Sequence, residues 1–121
     1  MTHSSSSESN NKTLALLGDS ILNFIIRSSL INDNPDFENG DITKQCQRLE
    51  SNKNFRNIAI ELNIIDYMDI DNGTLNNPTF NYDNEVVNAT AFEALFGAVY
   101  LCRGWSKTTE LADKYVLDKL N

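Results

Sequence analysis

Between Asn57 and Cys102 the chain has no lysine and no arginine. Basic residues are scarce overall: 10 against 17 acids, with one histidine, for a formal net charge of −7 in 121 residues. That balance argues against a free-standing nucleic-acid binder, whose affinity normally comes from Lys and Arg on phosphates. Apart from Lys12 and Arg27, the basic charge falls in two groups: Lys44, Arg48, Lys53 and Arg56, then Arg103, Lys107, Lys114 and Lys119. Each group is either a local basic patch or an ordinary solvated helix face. Cysteine is sparse too. Cys46 and Cys102 have neither metal-ligand spacing nor a histidine nearby, and are expected to be reduced, buried small hydrophobes in an intracellular, reducing setting. No apolar run is expected to cross a membrane, because Asp19 and Arg27 interrupt the first long one and Glu93 and Arg103 the second. The N-terminal Met1-Thr2-His3-Ser4 stretch lacks the Arg-rich pattern of an organelle import signal. Strand-like alternation and internal repeats are absent as well, which leaves an all-α fold. The length fits one domain that buries roughly two-thirds of its surface.

What the chain does have is two greasy stretches. Leu14 to Ile26 is apolar on almost every side, and Asp19 is its only charge. Val86 to Cys102 is similar, with Glu93 as its only charge. Helices that are apolar all round belong in a core or at an interface. A buried carboxylate is costly unless it is paired, hydrogen-bonded or holding a metal. Packed together, the two helices can bring their acids to one point, a plausible divalent-cation site built from hard oxygen ligands. The competing account is that each acid caps a neighbouring helix or pairs with a base.

Residues 1–11 are rich in Ser and Asn and are expected to be an extended or disordered segment, with the domain spanning 12–121. The first helix is expected over about Lys12–Leu30, followed by the breaker Asn32-Asp33-Asn34-Pro35. After the Asn39-Gly40-Asp41 turn, Asp41 is expected to cap a helix over Ile42–Ser51 that carries Lys44 and Arg48 at i, i+4. Ser51-Asn52 marks a break before a helix whose Phe55, Ile58, Ala59 and Leu62 form a core-facing stripe. Ile64–Ile70 reads as a short helix or turn, and Asp71–Tyr82 as loop. The central helix is expected from Asn84 to Cys102 with Gly104 as a stop. Ser106 then caps a last amphipathic helix bearing Leu111, Tyr115, Leu117 and Leu120.

The pattern Leu14-Ala15-Leu16-Leu17-Gly18-Asp19-Ser20 resembles the ribonuclease III signature Leu-Glu-Phe-Leu-Gly-Asp followed by a small residue. The family's second acidic motif, Ala-Asp-Ala-Phe-Glu-Ala-Leu-Ile-Gly-Ala, is matched by Ala89-Thr90-Ala91-Phe92-Glu93-Ala94-Leu95-Phe96-Gly97-Ala98. Gly40 to Lys44 and Ser51 to Phe55 resemble the intervening helices, and Thr2-His3-Ser4-Ser5 the turn before the signature. The resemblance covers essentially the whole chain, except that the family's first helix and its double-stranded RNA-binding domain have no counterpart. It implies an all-α, ribonuclease III endonuclease-domain-like helical fold that dimerises. It also implies a centre of four carboxylates holding Mg2+, which activates water against a phosphodiester of double-stranded RNA.

Carried over by position, the four ligand sites are Ala15, Asp19, Thr90 and Glu93. Only Asp19 and Glu93 are acids. The acid that usually precedes the signature is Lys12. Asp19 and Glu93 are therefore the expected catalytic and metal-holding remnant, with Mg2+ held weakly, and Ala15 and Thr90 are degenerate positions. Leu16 occupies the family position that inserts into a partner subunit; its competing role is in the chain's own core. Lys44, Arg48 and Lys53 are the candidate RNA-binding residues. Three functions follow. The first is a ribonuclease III-like domain, homodimeric or paired with another such chain, associated with double-stranded RNA or RNA processing but cutting little alone. The second is an active Mg2+-dependent endoribonuclease, alone or with a partner chain. The third is a protein-interaction module without RNA.

Overall fold

The computed structural model describes residues 7–64 and 84–120. The expected turn after Ile64 and the 71–82 loop lie outside them. The described elements are helix α1 (Ser7–Asp33), α2 (Asn39–Leu49), α3 (Asn52–Glu61) and α4 (Glu85–Tyr115), closed by a 3-10 turn at Leu117–Leu120. No strand occurs among the described residues, as the lack of period-two alternation predicts.

Helices α1 and α4 make the largest interface, and α3 packs against α4 beside it. On α1 the inward positions are Ile21, Leu22, Ile25, Ile26 and Leu30, a spacing of three and four that puts them on one side. Phe55 of α3 and Phe92 and Phe96 of α4 are fully buried. Their rings stack in series, with centroids 5.2 Å apart for Phe55–Phe92 and 5.0 Å for Phe92–Phe96. Offset aromatic pairs at such distances add about 0.5–1.5 kcal/mol beyond the area they bury. Helix α2 is tied to α1 by a two-pronged pair, in which Arg27 Nε and Nη2 donate to Glu50 at 2.9 and 2.8 Å.

The helix ends follow local chemistry. Ser51 caps α3 by accepting from Asn54 N–H, and Asn84 caps α4 by accepting from Val87 N–H. Asn63, just past α3, takes a left-handed φ of 55°, the conformation that Asn tolerates after a helix C-terminus. Gly104 interrupts α4 with φ 83° and ψ −176°, so the expected stop is a bend between two helical segments. Thr108 Oγ1 reaches back across that bend to Gly104 O at 2.7 Å.

Several expectations are corrected. Helix α1 begins at Ser7, inside the segment expected to be extended. Helix α2 begins at Asn39 with Glu38 as its cap residue, so Asp41 lies in the first turn, where it faces the positive helix end. The final α-helix ends at Tyr115, and Leu117–Leu120 form the separate 3-10 turn. Cys46 is buried, but Cys102 is exposed. Segments of Lys12–Asp33 and Glu85–Tyr115 are long and apolar enough to span a membrane, contrary to the expectation. A helix at the centre of a packed core passes the same test, and Leu22, Ile26, Phe92 and Phe96 occupy that centre. The two helices are also not enclosed on all sides: Leu16, Phe24, Val86 and Leu101 are exposed.

Candidate functional site

The site is built on two glycines. A Cβ on Gly18 would collide with the backbone carbonyl of Glu93, and one on Gly97 with the backbone carbonyl of Leu14. Helices α1 and α4 thus touch backbone to backbone at this crossing. Leu14 lies opposite Gly97 and Gly18 opposite Glu93, so the two helices run antiparallel there. Asp19 follows Gly18 directly, and Glu93 precedes Gly97 by one turn. The crossing therefore forces the two acids of the greasy stretches together.

Asp19 and Glu93 share a side-chain hydrogen bond. Glu93 is pushed up to about 8, first by burial, then by its hydrogen bond with Asp19 and by Asp19's charge. Two carboxylates this close cannot both ionise cheaply. At neutral pH Glu93 therefore favours its protonated form. The ion pairs Arg27–Glu50 and Lys107–Glu110 involve neither acid, and the two acids face each other, which is not the geometry of the competing account in which each caps a helix or pairs with a base.

Ala15 and Thr90, the other two positions of the expected set, lie about one turn from Asp19 and Glu93 on the same helices. Ala15 is buried and offers no ligand atom, and Thr90 is half-buried and offers a neutral hydroxyl. Lys12, at the position of the preceding acid, is exposed. Among the described residues no three His, Cys, Asp or Glu side chains converge as a metal cluster would require. One neighbour was not singled out by sequence. Asn23, one turn beyond Asp19, donates from Nδ2 to Asp19 Oδ2 at 3.4 Å. Its Oδ1 is buried without a partner, the single such side-chain atom among the described residues. Its only sequence signal is its spacing, i+4 from the one acid of the Leu14–Ile26 stretch; nothing in the order of residues marks its oxygen as orphaned.

The other candidates lie apart. Leu16 is 71% exposed, so it is not a residue of the chain's own core. Nearby on the outer surface, the Phe24 and Trp105 rings lie 5.9 Å apart and Tyr100 meets Trp105 edge-on at 6.3 Å. Lys44 and Arg48 are exposed on α2 and Lys53 on the first turn of α3. Arg48 is steadied by Gln45 at 3.0 Å.

A family model described as Ribonuclease-III-like matches residues 1–120. Ribonuclease 3 of Shewanella halifaxensis is 34% identical over 120 residues, which cover 99% of this chain and 52% of that protein. Ribonuclease 3 of Borreliella burgdorferi is 37% identical over 112 residues, covering 89% of this chain and 45% of that protein. The chain spans about half the length of the curated relatives it matches. Two solved structures of the ribonuclease III nuclease domain from Campylobacter jejuni share the fold. One, described for flexibility in a region involved in dimer formation, has a TM-score of 0.79 at 26% identity, covering 89% of this chain and 74% of that one. The other has a TM-score of 0.78, also at 26% identity, covering 90% and 73%. Sequence and fold thus agree with the crossing of two acid-bearing helices, and the chain belongs to the ribonuclease-III-like family.

Proposed function

We propose that this chain is a ribonuclease III-like domain that associates with double-stranded RNA or its processing, with a degenerate metal centre and little cleavage of its own. One observation carries the reading: Asp19 and Glu93 face each other, while the flanking ligand positions hold Ala15 and Thr90. The family is generally Mg2+-dependent. Two facing carboxylates and an orphaned buried amide oxygen suit one hydrated divalent cation, since Mg2+ commonly keeps several waters and takes only one or two carboxylates. When bound, the metal would polarise the phosphodiester and make water a better nucleophile. Asp19 and Glu93 would hold it, and Glu93 would release its proton to do so. That proton cost, added to the missing charge at Ala15 and Thr90, makes the hold weak.

The exposed Leu16 supports a partner on the α1 face, either a second copy or another ribonuclease III-like chain. Lys44, Arg48 and Lys53 support contact with an RNA backbone, as exposed cations on two neighbouring helices. The test is cleavage of duplex RNA in Mg2+ by the parent and by a variant carrying Ala15→Glu and Thr90→Asp. The expected result is negligible cutting by the parent and a gain in the double variant. A parent that already cuts at a rate the variant does not improve would overturn the degenerate-centre reading.

A further inference from the structure

The amide of Asn23 is oriented by its neighbour. Its Nδ2 donates to Asp19 Oδ2, and turning the amide over would set oxygen against the carboxylate oxygen. With the amide held that way, Oδ1 is buried and has no donor. An unpaired buried acceptor costs about 1–3 kcal/mol, so a folded protein seldom keeps one that nothing uses. The backbone N–H groups around it are committed to helix α1. Among the described residues no donor remains to satisfy Oδ1.

Position says what would satisfy it. Asn23 and Asp19 stand at i, i+4 and share one face of α1. Helix α4 runs antiparallel past this face, so the step from Asp19 to Asn23 runs the same way as the step from Glu93 back to Thr90. An amide oxygen is a hard, neutral donor of the kind that Mg2+ and Mn2+ accept beside carboxylates. We infer that Asn23 Oδ1 is a third oxygen ligand of the cation held by Asp19 and Glu93, on the side of the pair where Thr90 offers no charge. This rests on the cation reading of the acid pair made above. It adds a ligand atom without a charge, which improves geometry more than affinity.

The test uses the full chain and Mn2+ alone, with binding followed by water-proton relaxation. Asn23→Ala, Asn23→Asp and Asp19→Asn are compared with the parent, each checked for helicity and a cooperative melt. The parent is expected to bind, Asn23→Ala to bind about tenfold or more weakly, as removal of a metal-supporting group typically does, and Asn23→Asp to recover or exceed the parent. The 13Cγ resonance of Asn23 in the parent is expected to shift downfield on addition of Mg2+, as polarisation of its carbonyl by a directly bound cation requires. If Asn23→Ala stays within about twofold of the parent, or the resonance does not move, Asn23 is not a ligand, while the Asp19–Glu93 cation reading stands. If the parent fails to bind Mn2+, or Asp19→Asn binds as well as the parent, both readings fall.

Discussion

Replacing Gly18 by alanine asks how much of the fold hangs on one missing methyl group. A Cβ there would drive into the Glu93 carbonyl and also press on Gly97 N. These are backbone atoms, so the helices must move apart. Overpacking a fitted core costs about 1–3 kcal/mol, and a contact with no flexible side chain to yield belongs at the upper end. Alanine returns up to about 1 kcal/mol through its better helix propensity. The net is a loss of about 2 kcal/mol, or roughly 8 °C in Tm for a domain of this size. Gly40 supplies the control. It also lies in a helix, but a Cβ there meets nothing within 4 Å. Gly40→Ala should therefore gain about 0.5–1 kcal/mol from the same propensity difference. Thermal and urea unfolding of both variants measures the two signs. If Gly18→Ala is as stable as the parent, or shifts in the same direction as Gly40→Ala, the backbone contact between α1 and α4 is not what holds the crossing.

The other outcomes are independent of this one. Glu93 keeps its proton in the fold up to about pH 8, against 4.5 ordinarily, so folding takes up a proton between those values. Stability is full below the lower value and falls as pH rises through the upper one. In EDTA, Glu93→Gln should match the parent near about pH 4 and exceed it by about 1–2 kcal/mol near about pH 9, the full shift being discounted for partial exposure. Equal pH profiles for the two proteins would remove the acid contact. Leu16→Glu should leave the melting of dilute protein within about 0.5 kcal/mol of the parent, because the side chain is exposed, yet abolish association seen by sedimentation. A parent that sediments as a monomer at every concentration would exclude self-association through this face. Arg27→Ala should cost about 1 kcal/mol by freeing Glu50. Unchanged urea unfolding would show the pair to be only a surface contact.

Much of the fold was legible because the buried residues repeat at helical spacing. Leu22, Ile26, Phe92 and Phe96 are interior for the reason that their apolarity predicts. Ser51 and Asn84 cap where their side chains allow it. The errors share a cause, which is that composition does not tell which side of a helix meets a neighbour. Phe24 and Leu101 look like core residues and are exposed, as is Cys102. Asp41 is a good cap residue, but the chain turned into α2 earlier, at Glu38. At the site, the meeting of Asp19 and Glu93 could be anticipated from two lone acids in greasy helices. Asn23 could not be ranked, because an orphaned oxygen is a property of packing and has no signature in the order of residues.

The glycine crossing also limits where α1 can stop along α4. Both helices present aliphatic and aromatic rows that look nearly the same one turn up or down. Such rows alone would tolerate sliding, with the apolar contacts re-forming after each step. Only one alignment sets Gly18 and Gly97 against opposing backbone. A shift by a turn would put Leu14 or Leu22 where Gly18 now sits, and a side chain has no room there. The two smallest residues therefore act as a detent, selecting a single setting from a ladder of similar ones. That selection is what decides that Asp19 looks at Glu93 and not at Ala89 or Gly97.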